Sequence, residues 1–100
     1  MKTDDVIEHI ENQNVTAVEL LDEFDPNLQF KFAKAMTALK QIIDDVRILY
    51  PDASYYIQDD AFYLMLGDSH SGDHKQNANT NLIALTDNHK LAGCISGGGF

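Results

Sequence analysis

The side chains best suited to chemistry are gathered in the last third of the chain. Asp68-Ser69-His70-Ser71-Gly72-Asp73-His74 places two imidazoles and two carboxylates within seven residues, a donor set that suits zinc or another divalent ion. Asp68, His70, Asp73 and His74 are therefore the candidate ligands. A four-residue step between histidines aligns ligands on a helix, and Gly72 among serines disfavours one here. The plainer reading is a polar loop whose aspartates serve turns. Cys94 becomes a nucleophile only if the fold brings a histidine to it. Its apolar run, Leu91–Ile95, instead predicts a small buried hydrophobe. Asp59-Asp60 resembles an acid–base pair, but between two β-forming runs it reads as a turn. Gly97-Gly98-Gly99 lacks the following helix and lysine of a phosphate cradle. No serine stands in an elbow pattern. The sequence thus predicts no catalytic residue and no cofactor.

Charge supplies the second kind of signal. Seven Lys+Arg face sixteen Asp+Glu, for a net charge of −9. A surface of that sign disfavours direct nucleic-acid binding, which needs phosphate neutralisation, and attachment to anionic lipid. Residues 1–25 carry eight carboxylates against Lys2 alone, whereas residues 26–50 carry Lys31, Lys34, Lys40 and Arg47 against Asp44 and Asp45. One reading is a solvated acidic face lying against a more basic helix. The sharper one is a negative surface that meets a basic protein partner, with Asp4, Asp5, Glu8, Glu11, Asp22 and Glu23 as its contact residues.

The elements that would carry these residues follow from periodicity. Thr3 is a helix cap candidate, with Asp4 and Asp5 in the first turn, where carboxylates suit the helix dipole. Val6, Ile7 and Ile10 mark one face, and Asn12-Gln13-Asn14 ends the helix. Thr16 and Glu19 have capping-box spacing ahead of a second short helix striped by Val18, Leu21 and Phe24. Asp25-Pro26 opens a third. Leu28, Phe32, Ala35, Met36, Leu39, Ile42, Ile43, Val46 and Leu49 then recur at helical spacing until Tyr50-Pro51. So long a stripe needs a sheet or a second copy of the chain to cover it. Beyond it the period becomes that of strands: Ser54–Gln58, the turn Asp59-Asp60, and Ala61–Leu66, apolar enough for a central strand. Gly67–Asn81 reads as one long polar loop. Leu82–Leu85 and Leu91–Ile95 read as a hairpin around Asp87-Asn88-His89.

The expected architecture is a single α+β domain over residues 1–100: two short helices and one long amphipathic helix packed on a roughly four-stranded antiparallel sheet over 54–96, with a flexible tail at 97–100. Tyr50, Tyr55, Tyr56, Phe62 and Tyr63 include adjacent pairs, so some rings must face away from any one covering layer. No run approaches the ~20 apolar residues of a membrane span. The lone cysteine and an N-terminus without an apolar leader core suggest the cytoplasm.

The run from Tyr55-Tyr56-Ile57 through Phe62-Tyr63-Leu64-Met65-Leu66-Gly67-Asp68-Ser69-His70, with the closing Gly97-Gly98-Gly99-Phe100, resembles small accessory proteins of phages and prophages. The resemblance spans under half the chain and transfers no catalytic residue. It implies a protein that acts by binding host or phage machinery, as small acidic phage inhibitors do. The leading expectation is therefore a non-enzymatic acidic module that inhibits or adapts a basic, nucleic-acid-handling protein. A metal site in the 68–74 loop and a homodimer built on the long helix are the alternatives.

Overall fold

A computed structural model describes residues 1–97. Three helices, α1 (Thr3–Gln13), α2 (Ala17–Phe24) and α3 (Leu28–Arg47), precede strands β1 (Ser54–Gln58), β2 (Ala61–Met65), β3 (His70–Ser71), β4 (Asn77–Ala78) and β5 (Ile83–Thr86). The class is α+β. Contacts divide the chain into two compact units, Met1–Leu39 and the part from Lys40 onward, with α3 running through both. No helix among the described residues is long and apolar enough to cross a membrane.

In the first unit, local hydrogen bonds set the helix ends. The α1 cap is Lys2 rather than Thr3, because the Asp5 carboxylate reaches back to accept the Lys2 N–H at 3.0 Å. Asn14 closes α1 in the left-handed region at φ 51°, a conformation asparagine tolerates. Thr16 and Glu19 form the reciprocal capping box: each side chain accepts the other residue's backbone N–H, at 3.1 and 3.3 Å. Asp25 ends α2, and its carboxylate accepts the Asn27 N–H at 2.9 Å. Pro26 lies in that turn, and α3 begins at Leu28.

In the second unit, β1 and β2 pair antiparallel from Ser54↔Met65 to Gln58↔Ala61. Asp59 and Asp60 form the two-residue loop, both at positive φ, as a hairpin matched to strand twist demands. β2 is central: β5 pairs with its other edge, with a bulge where Leu64↔Leu85 gives way to Met65↔Ile83. One sheet face carries Leu64 and Tyr55, which pack with Ala53, Ile43 and Val46. Arg47 Nε donates to the Ala53 carbonyl at 2.8 Å, tying the end of α3 to the turn that follows it. The sheet has three strands rather than four.

Two segments depart from the sequence reading. Gly67–Asn81 contains a two-stranded ribbon, β3 with β4, and is not one irregular loop. Asn79 staples it, its amide donating to the Asp68 carbonyl at 2.8 Å and accepting from Ser71 Oγ at 2.9 Å. Gly72 lies at φ +88°, where a Cβ would stand 2.6 Å from the Asn77 amide nitrogen. Leu91–Ile95 forms turns instead of a fourth strand. The Asp87 carboxylate accepts the N–H groups of His89 (3.0 Å) and Leu91 (3.1 Å), and the Asp87 carbonyl accepts that of Lys90. These bonds curl the chain before a strand can begin. Of the expected tail, Gly98 to Phe100 lie outside the described residues.

Candidate functional site

The acidic residues lie on the first two helices. Asp4, Glu8 and Glu11 share one face of α1 by the i, i+4, i+7 rule, and all three are exposed. Glu23 is exposed on α2. The other two candidates are engaged within the fold: Asp5 caps α1, and Asp22 accepts a 2.6 Å hydrogen bond from Gln29 Nε2, joining α2 to α3. The ion pair found among the described residues, Lys40 with Asp44, lies outside this group. The α1 and α2 carboxylates therefore keep their charge unneutralised by internal salt bridges.

The same unit carries an apolar surface whose extent the sequence reading missed. Phe24 is 80% exposed, Phe30 76% and Phe32 68%, and Val18 and Leu21 are also open. The predicted α2 stripe is thus uncovered, and of the nine α3 stripe residues only Ile43 is buried. Leu21, Leu28, Phe32 and Ala33 line a broad groove with Gln29 and Lys31 at its edge. Two signals pointed to it: the α3 stripe is longer than two short helices can cover, and Phe30 falls outside that stripe.

The 68–74 segment is arranged differently. His70 lies half-buried on β3, its Nδ1 3.0 Å from Ser69 Oγ and its ring edge-on to Tyr56, with centroids 5.7 Å apart. Asp73 and His74 lie on a 3-10 turn, with His74 at φ 58°. Among the described residues no three His, Cys, Asp or Glu side chains are grouped to hold an ion. Asp68, His70, Asp73 and His74 do not converge. Cys94 is exposed, a correction to the buried position expected for it, because the turns after Asp87 keep its segment off the sheet.

Two groups have shifted acidities. Burial pushes the Tyr55 phenol up. For Asp87, partial burial acts to raise the pKa, but hydrogen bonds from the Leu91, Phe62 and His89 N–H groups and the charge of His89 outweigh it. The carboxyl stays below the usual range. Neither group stands in a cluster that suggests catalysis.

No protein-family model, curated protein or solved structure matches the chain.

Proposed function

We propose that this chain is a non-enzymatic binding module whose first unit, Met1–Leu39, receives a basic amphipathic segment of another protein. One observation carries the reading: apolar side chains of α2 and α3, among them Leu21, Phe24 and Phe32, are left open in the same unit as unpaired carboxylates. Contiguous exposed apolar surface bordered by charge is the usual mark of a protein interface. The unit holds eight carboxylates against Lys2, Lys31 and Lys34, so its charge favours a cationic occupant. Asp4, Glu8, Glu11 and Glu23 supply steering and register, Asp5 and Asp22 add charge while holding helix geometry, and the aromatic anchors supply affinity. An inhibitor or adaptor of a basic, nucleic-acid-handling protein fits this chemistry, as the phage-accessory resemblance implies.

The test compares wild type with the fourfold variant Asp4→Asn, Glu8→Gln, Glu11→Gln, Glu23→Gln, which spares the two carboxylates with internal hydrogen bonds. Both are immobilised and exposed to a bacterial lysate at low and high salt. The expected result is retention of basic proteins by wild type, release by salt, and at least about a tenfold loss in the variant. Equal retention by the two overturns the electrostatic part. Light scattering that gives a dimer mass at all concentrations would assign the apolar surface to a second copy instead.

A further inference from the structure

The sheet face opposite Tyr55 and Leu64 holds a cleft of about 190 Å³ whose lining includes Tyr56, Tyr63, Met65, His70, Ile83 and Asp59, with polar side chains around them. We propose that it binds a compact alkylated ammonium group. The geometry begins with the hairpin register: Tyr56 and Tyr63 are direct cross-strand partners, so their rings stand side by side on one face. His70 crosses from the β3–β4 ribbon and meets Tyr56 at 70°, so two aromatic planes form a corner beside the second tyrosine. Met65, buried, and Ile83, partly open, supply apolar surface. Two tyrosine rings and an imidazole beside the apolar Met65 and Ile83 match the way proteins hold quaternary ammonium groups, by attraction to aromatic faces.

Charge and size narrow the ligand class. Asp59 is a carboxylate in the lining, and no lysine or arginine joins it. Lys75 belongs to an adjoining opening that shares Ser69 and His70. With a net charge of −9 over the chain, an anion is disfavoured and a cation favoured. The cleft is smaller than the ~300 Å³ at which drug-sized sites begin, so the group held has few heavy atoms. A free alkylammonium compound and a methylated lysine side chain present the same headgroup.

The inference is independent of the first unit and is tested separately, by ¹H–¹⁵N NMR titration of the full chain. The probes are choline, its neutral isostere 3,3-dimethylbutan-1-ol, and a short peptide carrying trimethyllysine beside the same peptide unmodified. Choline should give saturable shifts at Tyr56, Tyr63 and His70, and the isostere should bind at least about tenfold more weakly. Tyr63→Leu keeps a β-compatible apolar side chain without the ring and should weaken choline binding about tenfold. Asp59→Asn suits the positive φ of the turn and should weaken it severalfold with the spectrum otherwise retained. Preference for the trimethyllysine peptide over choline identifies a protein side chain as the source, and the reverse identifies a free compound. No saturable shift with any cation, or equal binding of the isostere, overturns the proposal.

Discussion

Asp87 is the residue on which most of the C-terminal geometry turns. Its carboxylate receives N–H groups from His89 and Leu91 and, at 3.4 Å, from Phe62 on β2, so one side chain both curls the segment after β5 and holds it to the sheet. Its backbone N–H donates in turn to the Phe62 carbonyl at 3.0 Å. The folded pKa lies below the ordinary carboxylate value, so the stabilisation is fully present above about pH 4 and is lost as pH falls through the folded value. Asp87→Asn should therefore be less stable than wild type at neutral pH, with a narrower gap at a pH below the ordinary carboxylate value. Urea titrations at the two pH values measure this, and a constant gap would refute it. The sequence offered Asp87-Asn88-His89 as a hairpin tip. It gave no notice that the carboxylate would also accept the Phe62 N–H, since that depends on β2 arriving beside β5.

Among the elements, the helices and the first hairpin were legible because their determinants are local. Thr16 with Glu19, Asn14 at a left-handed C-cap, and Asp59-Asp60 at positive φ each act within a few residues of chain. Thr16→Ala should cost about 1 kcal/mol and lower α2 helicity, with Thr16→Ser restoring most of it; circular dichroism during thermal unfolding reports both. Equal stability of the alanine variant would mean that packing, not the cap, holds α2. The ribbon β3–β4 was not legible. Its two-residue strands are too short to show a period, and they are fixed by Asn79 reaching residues eight and eleven positions away. Leu91–Ile95 misled for a different reason: β5 is an edge strand that another could join, but the Asp87 bonds to His89, Lys90 and Leu91 turn the chain before a strand can begin.

At the scale of the whole molecule the buried apolar set among the described residues is small: Ile43, Ala53, Ala61, Leu64 and Met65. Leu64 touches both the sheet and the α3 residues in that cluster. Leu64→Ala should cost about 2–5 kcal/mol, a large share of the ~5–15 kcal/mol by which domains are stable. Chemical denaturation followed by near-UV circular dichroism of the tyrosines checks it, and a loss below 1 kcal/mol would show that the core lies elsewhere. Apolar side chains of α2 and α3, Phe24 and Phe32 among them, stay exposed as well.

By itself the sequence determined the acidic charge and its concentration in residues 1–25, the three helices with the Thr16–Glu19 capping box, and the β1–β2 hairpin, because charge, turn chemistry and helical period are properties of neighbours along the chain. Tertiary structure alone decided that the long helical stripe stays mostly uncovered, that the third strand of the sheet is β5 and that a separate ribbon takes the place of a loop. It also brought Tyr56, Tyr63 and His70 to one cleft. Those outcomes depend on which faces and edges meet across tens of residues, and that competition for burial and hydrogen bonds is resolved only when the chain has folded.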